Sequence, residues 1–208
     1  MKEKIKQKAI SLFNAHGMSN VSMKQIADAL GISAGNLQYH FKDKEALVTA
    51  VYDDMYSESV NFILPKNTYI TLFHFEAMMV GFDGIQNRFS FFYNDLVHIV
   101  KTYPNIADRQ EQYNLVRLTD ARKLMDYYVE TGRLIPESAT VDYDKIIHVI
   151  WMTSMFWQSQ KRVMRHAEYK GNKCPVMDMN WSFVLPFLTK KGLEEYEQIK
   201  KFVKHPNH

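Results

Sequence analysis

Between Ser22 and Leu47 the chain reads SMKQIADALGISAGNLQYHFKDKEAL, and this stretch limits the possible folds more tightly than any other. Ser22 followed three residues later by Gln25 has the capping-box pattern, in which each side chain satisfies a backbone N–H left over at a helix start. Ile26, Ala27 and Leu30 then share one face, and Gly31 supplies the C-terminal glycine that ends a helix. Ser33 caps a second helix, whose Leu37 and Phe41 stand four apart and turn inward together. Asp43 caps a third, beginning Lys44, Glu45, Ala46, Leu47. Two helices across a short turn containing Gly make a helix-turn-helix, a motif that lays its second helix in the DNA major groove.

With Leu37 and Phe41 inside, the second helix leaves Ala34, Gly35, Asn36, Gln38, Tyr39 and His40 outside, and none of these is acidic. Asn and Gln bond adenine edges, Ala touches a thymine methyl, and Tyr and His donate to phosphates. Gly35 weakens a helix, so it is expected where the backbone must come close to something. The expected DNA-binding set is completed by Ser22, Lys24 and Lys44. In it Tyr39, His40 and Lys44 hold phosphates, while Ala34, Asn36 and Gln38 face bases. The plain alternative is a helical hairpin with a solvated polar face; the two caps, the Gly turn and the missing acids favour DNA.

The segment GISAGNLQYHFKDKEAL, preceded by Ala9, Leu12, Phe13, Gly17 and Val21-Ser22, resembles the tetracycline-repressor (TetR-like) family of bacterial regulators over residues 1–50. Ala34 stands where that family often has a basic or hydroxyl residue, and Gln38 where it often has Tyr. Both departures face outward, so they bear on the base sequence of the operator and leave the fold in place. The resemblance implies a homodimer built by the last two long helices. It also implies a ligand that moves the helix at 43–62 and so changes the separation of two DNA-reading heads.

The charge distribution agrees. Residues 1–47 hold seven Lys against four acids, and the rest holds 19 basic against 19 acidic residues, so the whole +3 sits in the proposed head. That is where counterion release from phosphates would use it. The single cysteine, Cys174, excludes an internal disulfide and a multi-cysteine metal site, which fits a reducing cytoplasm. The opening MKEKIKQKAISLF lacks the apolar run of a secretory signal, and the stretch Val149 to Trp157 is too short to span a bilayer. A cytoplasmic protein with no membrane partner is expected.

Outside the head the pattern is helical throughout. Helices are expected over 2–16, 43–62, 68–82, 87–102, 105–131, 142–167, 175–188 and 190–203, broken at Pro65, Gly81 to Gly84, Pro104, Gly132 to Pro136 and Gly171 to Pro175. No alternating strand pattern occurs, so the class is all-α: a three-helix head at 1–47, then a larger helical ligand-binding and dimerisation domain at 48–208. Residues 142–167 are apolar nearly all round. Such a helix needs cover on every side, so a homodimer through 142–167 and 175–188 is expected rather than a monomer's central helix.

Aromatic and Met residues with a few polar ones suit an adaptable pocket for a largely apolar small-molecule effector inside residues 66–165. Phe92, His98, Tyr113, Arg117, Tyr128, Trp151 and Met155 are its candidate lining, although aromatic stripes at helical spacing more often form plain core. No phosphate-loop, dinucleotide, hydrolase or zincin motif is present, and the eight His are scattered, so neither catalysis nor a cofactor nor a metal is expected. Two function classes remain. One is a dimeric, ligand-responsive transcriptional repressor on a palindromic operator; the other is a helical enzyme or scaffold carrying an unused helix-turn-helix-like hairpin. Sequence-selective binding of DNA discriminates them.

Overall fold

The computed structural model describes residues 1–60, 69–164 and 174–202. In chain order the helices are α1 (Lys2–His16), α2 (Met23–Leu30), α3 (Ala34–His40), α4 (Lys44–Val60), α5 (Leu72–Arg88), α6 (Ser90–Asn94), α7 (Leu96–Thr102), α8 (Pro104–Glu130), α9 (Tyr143–Val163), α10 (Val176–Val184) and α11 (Lys190–Phe202). Tight 3₁₀ turns stand at Met18–Asn20 and Leu185–Phe187. Among the described residues there is no strand, only isolated bridges joining Leu134 to Leu188 and Ser138 to Val141. The expected all-α class holds, and no described helix is long and apolar enough to cross a membrane.

One expected break is misplaced. Gly81 to Gly84 do not end a helix: α5 runs through them to Arg88, and the interruptions fall at Phe89 and Asp95. A glycine in a helix interior costs only about 1 kcal/mol, and burial of Ile85 and Phe89 on the following turn offsets it. The single helix expected over 87–102 is accordingly two short ones. The expected stop at Pro65, the last residues of the helix expected over 142–167, and Gly171 lie outside the described residues.

The chain forms two compact units, Met1–Phe62 with Gly84–Glu111, and Ile63–Asp83 with Gln112–His208. Helices α5 and α8 each begin in one unit and end in the other. In the first unit α1 buries Ile5, Ala9, Ile10 and Phe13, one helical stripe, against α2, α4 and α6. Helix α4 buries Leu47, Val51, Tyr52 and Met55. The Phe13 ring lies 5.2 Å from that of Phe91, and Tyr52 lies 5.6 Å from Phe92.

The second unit has its own core, built around Phe75, Tyr128, Tyr143, Ile147 and Trp181. Its turn after α8 is fastened to α11. Arg133 is fully buried, and its guanidinium meets the Glu195 carboxylate at 2.8–3.0 Å. The carbonyl of Arg133 accepts from the Thr189 N–H at 2.9 Å. Here α11 comes so close that a Cβ on Gly192 would stand 2.3 Å from the Arg133 carbonyl oxygen, so only glycine fits.

Candidate nucleic-acid interface

The α2–α3 pair is built by local hydrogen bonds. Gln25 N–H donates to Ser22 Oγ at 3.2 Å, and Ser22 N–H donates to Gln25 Oε1 at 2.7 Å, closing the capping box. Gly31 ends α2 in the left-handed region at φ 66°, a conformation that glycine adopts without strain. Ser33 Oγ accepts from Asn36 N–H at 3.1 Å and caps α3. Leu37 and Phe41 point inward, at 1% and 6% exposure.

Consequently the outer side of α3 is open. Ala34, Gly35, Asn36, Gln38 and Tyr39 are exposed, and His40 is half-buried with its ring edge-on to Tyr39. Tyr39 is 86% exposed. Gly35 has no left-handed φ, and a Cβ there would meet nothing within 4 Å. Ser22 and Lys24 are exposed at the start of α2, with the Ser22 hydroxyl engaged in the capping box.

Lys44 differs from the rest. Its ammonium donates to the Met18 carbonyl oxygen at 2.6 Å and lies 5.9 Å from the Phe13 ring centre; burial pushes its pKa down. An ammonium has three N–H donors, so this bond leaves two for a phosphate. Nothing local signals this tie, because Lys44 and Met18 are 26 positions apart.

The expected ligand-lining residues fall in both units. Phe92 and His98 belong to the first unit, and Tyr113, Arg117, Tyr128, Trp151 and Met155 to the second. Phe92, Tyr128 and Met155 are buried; His98 is exposed beside its own Thr102. The Tyr128 hydroxyl donates to the Thr71 carbonyl at 2.8 Å. Half-buried Arg117 lies over the Tyr113 ring at 5.1 Å, and half-buried Trp151 lies beside His148. Sequence reasoning missed the buried polar groups of this unit. Trp181 Nε1–H donates to Glu76 at 2.5 Å, and Asn180 Nδ2–H donates to Ser154 Oγ at 3.0 Å.

Helix α9 has two apolar sides. Tyr143, Ile147, Ile150, Met155 and Trp157 are buried in the second unit, where α9 packs on α10. Val149, Met152 and Phe156 remain 41%, 46% and 41% exposed, in line at i, i+3 and i+7.

A family model described as "Bacterial regulatory proteins, tetR family" matches residues 5–51, and one described as "Bacterial transcriptional repressor" matches residues 52–196. The chain is 32% identical over 105 residues to an HTH-type transcriptional regulator of Staphylococcus aureus (strain bovine RF122 / ET3-1), covering 50% of this chain and 55% of that protein. It is 36% identical over 83 residues to another from strain USA300, covering 39% and 44%. These matches span about half the length of the curated relatives. A solved TetR-family transcriptional regulator from Marinobacter aquaeolei VT8 superposes with a TM-score of 0.84 at 19% identity, covering 97% of this chain and 98% of that one. The TetR family protein CprB from S. coelicolor A3(2) superposes at 0.66 with 14% identity, covering 96% and 95%. At such identities the likeness is one of fold.

Proposed function

The chain belongs to the tetR family of bacterial regulatory proteins, and from that premise we propose that it is a ligand-responsive repressor that binds a palindromic operator as a homodimer. The observation that carries this reading is the open, acid-free outer side of α3, with α2 and α3 each capped by a serine. Residues 1–47 read DNA and residues 48–208 bind the effector and the second copy. Gln38, Asn36 and Ala34 face base edges, with Gly35 letting the backbone approach. Tyr39, His40 and Lys44 hold phosphates, joined by Ser22 and Lys24 at the start of α2.

Dimerisation uses residues 142–167 and 175–188, and the apolar line Val149, Met152 and Phe156 supports it. Two such heads read half-sites about one helical turn apart or more, roughly 34–36 Å. A largely apolar effector binds within 66–165, with Tyr113, Arg117 and Trp151 as its half-open candidates, and lowers DNA affinity. It shifts the equilibrium only by its differential affinity for two states, a coupling of about 1–3 kcal/mol that operator DNA must exert on effector binding in return.

Selection of bound sequences from random DNA with the pure full-length protein tests the reading. Recovery of one inverted repeat, bound in competition with bulk DNA, is the expected result. Binding without sequence preference would leave the helical scaffold or enzyme in its place.

A further inference from the structure

We propose that Asn14 and Asp95 are positioning residues for DNA reading. They fasten the α1–α2 turn to the two helix breaks at 88–95, and so set how α2 and α3 are presented. The proposal rests on the DNA reading above and adds two residues that never face the nucleic acid.

Asn14 lies in the last turn of α1, and its one amide group serves two other helices. Its Nδ2–H donates to the carbonyl of Arg88 at 2.8 Å, and its Oδ1 accepts from the N–H of Phe91 at 2.9 Å. These are backbone groups at the end of α5 and the start of α6, which the break at Phe89 leaves without helical partners. Asn14 therefore holds the break open and ties it to α1. Phe13, next to it, packs its ring on Phe91.

Asp95 ends α6 and begins α7. An aspartate at a helix start ordinarily accepts from the first turn of its own helix, and Asp95 makes no such bond. Its Oδ2 instead accepts from the N–H of Met18 at 3.3 Å, over the Gly17 turn at φ 80°. The Met18 carbonyl is taken from another direction by Lys44 of α4. Both backbone groups of the residue that leads into α2 are thus held by side chains from outside the helix-turn-helix. A local capping rule is set aside for a contact 77 positions away, the kind of inconsistency that marks a functional constraint.

The test compares wild type with Asn14→Ala, Asp95→Ala and Asp95→Asn, all in the full-length chain. Asp95→Ala and Asp95→Asn remove the same charge, but only the asparagine keeps an acceptor oxygen, so their difference reports the hydrogen bond. On the selected duplex, each alanine variant should bind about tenfold more weakly and the asparagine variant within about twofold of wild type. Affinity for bulk DNA and the salt slope should not change, and the double alanine variant should lose less than the product of the singles. Amide exchange over residues 23–40 should rise in the alanine variants. Parallel losses on both DNAs, no loss at all, equal effects of alanine and asparagine, or faster exchange confined to 17–18 and 88–95 would each overturn the proposal. A wild type with no sequence preference would sink the DNA reading instead, and the exchange measurement would still decide the fastening.

Discussion

Replacing Met152 by Asp asks whether the outer side of α9 is where two copies meet. Met152 is 46% exposed between Val149 and Phe156. Covering the exposed half of a Met side chain is worth about 1 kcal/mol, and two-fold symmetry counts every substitution twice, so about 2 kcal/mol is forfeited. The new carboxylate dominates: a charge enclosed without a partner costs about 3–5 kcal/mol. Together these come to about 5–7 kcal/mol even with the charge counted on one copy only, and raise the dissociation constant by about four to five powers of ten. In the separate protomer the position is half in water, so Asp there costs little beyond helix propensity, about 0.5 kcal/mol. Gln112→Asp, at an exposed position of α8, makes the same charge change and serves as control. Sedimentation velocity across micromolar concentrations should find wild type and control as dimers and Met152→Asp as a monomer. The monomer should still bind an isolated half-site while losing the advantage of the palindrome. A variant that stays dimeric, or a wild type that is already monomeric, would refute the assignment.

Three further outcomes are expected. Gln38→Ala should relax preference at one base position by about 1–3 kcal/mol, whereas Lys24→Ala, exposed at the start of α2, should weaken all sequences alike and lower the salt slope by about one; equal losses from both in a binding titration would defeat that division. Gly192→Ala places a methyl 2.3 Å from the Arg133 oxygen and 3.0 Å from Leu188. The overpacking, about 1–3 kcal/mol, should exceed the roughly 1 kcal/mol gained in helix propensity, so the urea midpoint should fall; a raised midpoint would show that the turn simply gives way. The paired guanidinium of Arg122, and then the Tyr143 N–H, hold the Glu137 carboxyl at about 2, below its ordinary 4.5. A depressed folded-state pKa gives stability that is complete above the ordinary value and drains away as pH falls through the folded one. The stability gap between wild type and Glu137→Gln should therefore close as the pH drops from 4.5 to 2, and a constant gap across that window would count against the pairing.

The helix-turn-helix could be read in the sequence because its determinants are local. Ser22 and Gln25, Ser33 and Asn36, and Gly31 act within four residues of one another, and every expected cap forms. The period of α4 was equally plain, and its Leu47, Val51, Met55 and Ser59 are all buried. The end of α5 was not, because Gly81 and Gly84 carry a local penalty that burial outside the segment overrules. Asn14 bonds residues 74 and 77 positions on, and buried Arg133 meets Glu195 62 positions on, separations at which side-chain type carries no signal. The same limit applies to the expected ligand set: Phe92 and Tyr128 are both buried, and nothing local tells that one belongs to the first unit and the other to the second.

If α3 reads DNA as proposed, Gly35 sets folding and reading against each other. Neither its φ nor any neighbouring atom demands glycine, so a chain optimised only for its folded state would carry alanine there, steadier by up to about 1 kcal/mol. Keeping glycine concedes some order in α3, a loss that makes sense where close approach to a partner counts for more than rigidity. Gly35→Ala should then melt higher and bind its operator less well, two properties moving in opposite directions from one methyl group. If both improved together, the backbone at this point would be under no pressure from DNA, and the reading helix would have room to spare for a stiffer design.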